Sequence, residues 1–245
     1  MKINDNIKDN INNFCIILTC TVNINPMKYY IHVIDPTERL KIYLKSIKQW
    51  LDESNFKIIL VDNSGYTFPE LNEYIDKYKE RFEIISFIED DIDNDIFITA
   101  GAESVKLNTD FLYTSKGTSE MFSIYYSYLK SKLINTSKFV IKVTCRYFIK
   151  ELELFLNNVN IDEYLALRQI ESDWCEIVGC NINVFLDVFM PAHFIDSKRV
   201  FCHHIENLYK DRLITKFPKE KVLVCPLFQI EPTQMGGANL IRTTL

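Results

Sequence analysis

Apolar residues in this chain fall into short runs closed by polar, turn-forming residues, with stretches of helical spacing between them. The clearest run is Phe56-Lys57-Ile58-Ile59-Leu60-Val61, which ends in Asp62-Asn63-Ser64-Gly65. A short apolar segment bounded by turn formers predicts a buried strand. Strands apolar on both faces belong to parallel sheets covered by helices on each side. The polar residues then stand at the strand's carboxyl end, where open α/β sheets hold their ligands.

The same reading runs along the whole chain. Residues 1–13 are polar and predict a flexible arm. Phe14 to Val22 reads as a strand, and Pro26 and Pro36 break the segment after it. Pro36-Thr37-Glu38-Arg39 opens a helix carrying Leu40, Tyr43, Leu44, Ile47 and Leu51 at helical spacing. After the strand at 56–61, the pattern predicts a helix over 69–82, a strand over 83–88, a helix over 121–134 and a strand over 139–148. A short helix over 151–156 follows. Residues 164–190 read as strands, 196–214 as a helix and 221–230 as a last strand, with Gly236-Gly237 in a loose tail. Strand and helix alternate with short connections, which predicts a single α/β domain over 14–245 with a Rossmann-like, mostly parallel sheet flanked by helices.

Composition narrows the function. The 245 residues carry a net charge of −5 and no basic tract, which argues against nucleic acid as a partner. No run approaches the roughly 20 apolar residues of a transmembrane segment, and the polar start has no apolar core of signal-peptide length. Seven scattered cysteines without a Cys-X-X-Cys pair predict reduced, buried thiols in a cytoplasmic protein. Neither the Gly-X-Gly-X-X-Gly dinucleotide fingerprint nor the phosphate-loop lysine motif follows the first strand.

Three polar constellations fall near predicted strand ends: Thr19 and Thr21 with Asn23, Asp62 and Asn63 with Gly65, and Thr144 with Arg146. Lys116-Gly117 precedes Thr118, Ser119 and Glu120 at a helix start, where free N–H groups and the helix dipole suit phosphate. Lys116 offers a point charge, and Arg146 a planar fork for diphosphate oxygens. An arginine among apolar residues at a strand end must find an anion or an acidic partner.

Taken in order, Val61-Asp62-Asn63-Ser64-Gly65, Lys116-Gly117-Thr118-Ser119-Glu120 and Lys142-Val143-Thr144-Cys145-Arg146-Tyr147 resemble the nucleotide-sugar glycosyltransferases of GT-A fold. In particular they look like the bacterial and viral members with a Lys-Gly-X-X-Glu helix start and a Lys-X-Thr-Gly-Arg-Tyr strand. The resemblance covers about residues 14–215. It implies a GT-A-like fold with a donor half at about 14–150 and an acceptor half at about 151–245. It implies a UDP- or GDP-sugar as donor and a glycan or glycolipid as acceptor, in polysaccharide biosynthesis. Thr19 to Asn23, Asp62 and Asn63 would hold the nucleoside, with Arg39 in reach.

Thr144 to Arg146 stand where the family carries an Asp-X-Asp that binds manganese or magnesium. Arg146 and Lys116, with Gly117, are expected to neutralise the diphosphate there instead. Asp91-Ile92-Asp93-Asn94-Asp95 opens like a calcium loop, but Ile96 and Ala102 occupy its sixth and twelfth positions, which predicts a solvated acidic loop. Proton transfer needs a carboxylate or imidazole. Asp173, Glu176, Asp187, His203, His204 and Glu206 are available, and Asp187, His204 and Glu206 are taken as the catalytic set. Trp174 suits the core or a sugar platform. Two other readings stay open: an inactive GT-A-like domain that binds a nucleotide or glycan, and a nucleotidyltransferase.

Overall fold

The computed structural model describes residues 11–25, 31–89, 97–100, 103–106, 116–170, 174–191 and 205–245. In chain order the elements are β1 (Phe14–Cys20), α1 (Pro36–Glu53), β2 (Lys57–Asp62), α2 (Asn72–Lys77) and β3 (Phe82–Ser86). A small hairpin, β4 (Phe97–Ala100) with β5 (Glu103–Lys106), leads toward α3 (Lys116–Lys130) and β6 (Phe139–Thr144). Then come α4 (Leu152–Asn157), β7 (Ala166–Arg168), β8 (Ile177–Asn181), α5 (Phe185–Phe189) and α6 (Ile205–Lys216). The chain closes with β9 (Val222–Val224), β10 (Gln229–Gln234) and β11 (Ile241–Thr244).

The main sheet has seven strands in the order β3-β2-β1-β6-β8-β7-β9, and only β8 runs against the rest. This is the expected α/β architecture, a mostly parallel sheet with helices on both faces. Because side chains alternate along a strand, β1 sends Phe14, Ile16, Leu18 and Cys20 into the core beneath α1, and Cys15 and Ile17 into the core beneath α3, α5 and α6. β2 divides in the same way, with Ile58 and Leu60 on the first side and Ile59 and Val61 on the second. α1 begins on Asp35, whose carboxylate accepts from Thr37 N at 2.8 Å, with Pro36 in the first turn. Its Tyr43, Ile47, Trp50 and Leu51 form the buried stripe expected from their spacing. Trp50 Nε1 donates to Tyr147 O at 2.8 Å, pinning the chain just beyond β6.

Four local expectations are corrected. Ile11, within the expected arm, is buried against the core. α3 starts at Lys116, a turn earlier than the periodicity alone suggests. Residues 182–189 are not strand. Asn181 accepts from Asn183 N at 3.0 Å and turns the chain into a 3-10 turn and then α5. Phe185, Val188 and Phe189 then bury at helical spacing. Finally, β10 and β11 pair as an antiparallel hairpin, and Gly236-Gly237 lie in its connection rather than in a loose tail.

Candidate functional site

The carboxyl ends of β1, β2 and β6 lie side by side, with Thr19 in register with Val61 on one side and Thr144 on the other. The turn after β2 is built around Asp62. One carboxylate oxygen accepts from Ser64 N at 2.8 Å, Ser64 Oγ at 2.7 Å and Tyr66 N at 3.1 Å, and the other accepts from Val22 N at 2.9 Å. Asp62 is fully buried, and Gly65 has the positive φ of 78° that the turn requires. Asp62 is therefore the anchor that ties the loop after β1 to the turn after β2. Both oxygens accept from the chain itself, and the carboxylate does not line the cleft, so the role the structure gives it is that of a turn anchor.

Two other expected contacts also belong to this scaffold. Arg39 donates to Thr21 O at 2.6 Å, Val33 O at 3.0 Å and the Tyr43 hydroxyl at 2.7 Å, and is buried. It lines the cleft, but those three donors hold the loop in place. Asn23 is exposed, lies off the cleft and donates its backbone N–H to Ser64 Oγ at 3.0 Å. Thr21 donates to Asn63 Oδ1 at 2.5 Å, and Asn63 Nδ2 donates to Glu89.

Alternation on β6 turns Lys142 and Thr144 toward α3. The Lys142 side chain has no exposure, and its ammonium lies 2.8 Å from Glu120 on α3. It also donates to Cys175 O at 2.7 Å and Thr144 Oγ1 at 3.2 Å. Glu120 Oε1 accepts from Thr19 Oγ1 at 2.7 Å as well. Burial alone would push the Glu120 carboxyl up, but the adjacent Lys142 ammonium outweighs it and holds the group below its usual range. Burial alone would likewise lower Lys142, and the Glu120 charge instead raises it. Glu120 ends the Lys116–Glu120 motif and Lys142 begins the next, and they form one ion pair in which Lys142 is fully buried and Glu120 partly exposed at the cleft.

Above this pair opens a cleft of about 300 Å³. Thr19, Thr21, Asn63, Lys116, Gly117, Thr144 and Arg146 all line it, so residues from β1, β2, α3 and β6 meet in one place. Glu206, in the first turn of α6, lines it too. Asp187, expected in the catalytic set, does not line it. It sits on α5 with a half-exposed side chain, paired with Lys216 at 2.9 Å. His203, His204, Asp173 and the acidic stretch 91–95 lie outside the described residues.

The sequence reading missed the cleft's fourth wall, the C-terminal hairpin. Gly236 packs on Arg146 so closely that a Cβ there would fall 2.2 Å from Nη2, and its carbonyl accepts from His32 N at 3.0 Å. Glu231 on β10 accepts from Lys45 and Gln49 of α1. Arg242 on β11 lies 3.2 Å from Glu176 and 4.1 Å from the centre of the Trp174 ring. Trp174 is thus stacked by an arginine rather than sunk in the core. Two glycines between segments of alternating polarity are a recognisable hairpin signal.

No family model matches this sequence, and no curated protein does. Distant similarity is found to solved structures. One is a Desulfovibrio desulfuricans protein described as a nucleotide-diphospho-sugar transferase, at 13% identity over 87% of this chain and 80% of that one, with a TM-score of 0.46. A second is the glycosyltransferase GlyE of Streptococcus pneumoniae, at 9% identity over 86% and 44%, with a TM-score of 0.43. A third is an active-site mutant of LgtC, at 8% identity over 86% and 72%, with a TM-score of 0.39. Among the described residues, no helix is long and apolar enough to cross a membrane.

Proposed function

We propose that the chain is a glycosyltransferase that takes a nucleotide sugar, a UDP- or GDP-sugar by preference, and passes the sugar to a glycan or glycolipid acceptor. The observation that carries this reading is the meeting of Arg146 and Lys116 in one cleft at the carboxyl ends of parallel strands. Arg146 has no carboxylate within ion-pair distance among the described residues, and its guanidinium lines the cleft, where it can donate to diphosphate oxygens. Lys116 and Gly117 begin α3, and the positive end of its dipole adds to the field on a phosphate. Charge that builds on the leaving diphosphate is stabilised by these fixed groups. Glu206 is assigned to accept the proton of the acceptor hydroxyl.

At the place of the family's Asp-X-Asp, Thr144 and Arg146 offer no carboxylate to a divalent cation. Arg146 is itself a cation, and Glu120 is already engaged by Lys142 and Thr19.

Calorimetric titration with UDP, GDP and CDP, with and without manganese, tests the reading. Binding of one of them, unchanged by a chelator, is expected. Absence of binding by all three overturns the donor site, and strict dependence on manganese overturns the role given to Arg146.

A further inference from the structure

Three buried polar atoms beside the cleft have no hydrogen-bond partner among the described residues: the Tyr147 hydroxyl, Glu176 Oε2 and Arg242 Nη1. Tyr147 and Glu176 line the same cleft, the Arg146 guanidinium lies 5.5 Å from the centre of the Tyr147 ring without an aligned hydrogen bond to its hydroxyl, and Arg242 Nη1 approaches Glu176 Oε1 to 3.2 Å, also without an aligned hydrogen bond. Tyr147 is 1% exposed, and the side chains of Glu176 and Arg242 are each 15% exposed. Buried polar groups in folded proteins are nearly always paired, so three such atoms together call for polar partners beyond the described residues, and at the wall of a cleft a ligand can supply them. Tyr147 and Glu176 line the cleft, whereas Arg242 reaches Glu176 from the hairpin without lining it.

The donor and acceptor inventory selects the ligand chemistry. A carboxylate oxygen only accepts, a guanidinium only donates, and a phenol does either. A phosphate, which brings acceptors alone, is repelled by Glu176. A pair of sugar hydroxyls donates and accepts together and meets all three requirements.

We propose that Tyr147 and Glu176 form a subsite for the hydroxyls of the transferred sugar, with Arg242 as the positioning residue that fixes the Glu176 carboxylate. The subsite rests on the donor-site reading above. It divides the cleft into an anion end at Arg146 and Lys116 and a hydroxyl end at Tyr147 and Glu176.

The test compares a nucleoside diphosphate with its own sugar, using UDP with UDP-glucose and GDP with GDP-mannose, by calorimetry. Tyr147→Phe and Glu176→Gln are each expected to weaken the nucleotide sugar about tenfold and to leave the diphosphate within about twofold. Arg242→Gln is expected to show the same selective loss, with partial rescue by Arg242→Lys. Equal losses for both ligands, or no loss for either, overturn the subsite while leaving the donor site standing. An Arg242→Gln variant that changes only the thermal unfolding midpoint removes the positioning role. A wild-type protein that binds no diphosphate fails the donor site itself, and the subsite with it.

Discussion

Lys142 and Glu120 meet at 2.8 Å across the face of the sheet, one on β6 and the other on α3, beneath the cleft that holds Arg146. The pair fixes the start of α3 against the strand that delivers Arg146, so cleft geometry and fold stability share one contact. Removing one member of a buried pair strands the other charge. Glu120→Gln leaves the fully buried Lys142 without its counter-charge, and a loss of about 3 kcal/mol is expected in urea denaturation. A loss below about 0.5 kcal/mol would show that the pair does not hold the fold, since that is the range of ordinary surface substitutions.

The same pair sets a pH dependence. Glu120 titrates below its ordinary 4.5 in the folded chain, so its ionisation adds stability that is present above that pH and lost as pH falls through the lowered value. Lys142 is raised above 10.5, so its contribution is present below that pH and lost only as pH rises through the raised value. Stability should decline on the acid side below pH 4.5, and Glu120→Gln should flatten that limb. Denaturation midpoints across pH 3–8 measure it, and parallel acid limbs in wild type and variant contradict it.

Arg146→Ala should weaken nucleoside diphosphate binding by about a hundredfold, the effect of two charge-assisted hydrogen bonds. Arg146→Lys should recover only part of this, because a point charge does not replace a fork. Titration calorimetry decides the matter, and unchanged affinity in the alanine variant ends the proposed diphosphate role.

Gly236→Ala places a methyl group against Arg146 Nη2, the end of a flexible side chain rather than backbone. The guanidinium can swing away, so stability should change by less than about 1 kcal/mol, below the usual range for an overfilled core. Diphosphate affinity should fall, because the fork leaves its position. The two measurements together separate this outcome from a general loosening of the hairpin.

Asp62→Ala removes four acceptor contacts to Val22, Ser64 and Tyr66. A loss of about 3 kcal/mol is expected, since buried donors are left without a partner. A variant of wild-type stability that has lost only nucleotide binding would return Asp62 to direct ligand contact.

What the sequence made legible is what neighbouring residues decide. β1, β2 and α1 follow from apolar runs, an Asp-Pro start and a clean helical stripe. The gathering of Lys116, Thr144 and Arg146 followed from strand ends lying side by side. The anchoring role of Asp62 was not legible, because a strand-end position suits a ligand contact and a turn anchor equally, and only the backbone donors around it reveal the anchor. Residues 182–189 carry apolar runs that fit a strand until the Asn181 cap sets the helical register. Lys142 held a usable signal: a lysine within Phe139-Val140-Ile141 and Val143 demands a carboxylate as surely as Arg146 demands an anion. Its choice of Glu120 depends on strand parity and on where α3 lies, neither of which is local.

The stacking of Arg242 on Trp174 gives the protein a built-in optical reporter. The chain has two tryptophans, and the other, Trp50, is sealed in the core under α1. Emission from Trp174 should therefore change when the hairpin lifts or a ligand enters, while Trp50 stays silent until the whole domain melts. With Trp50→Phe in hand, fluorescence would time the opening of the cleft separately from the loss of the fold.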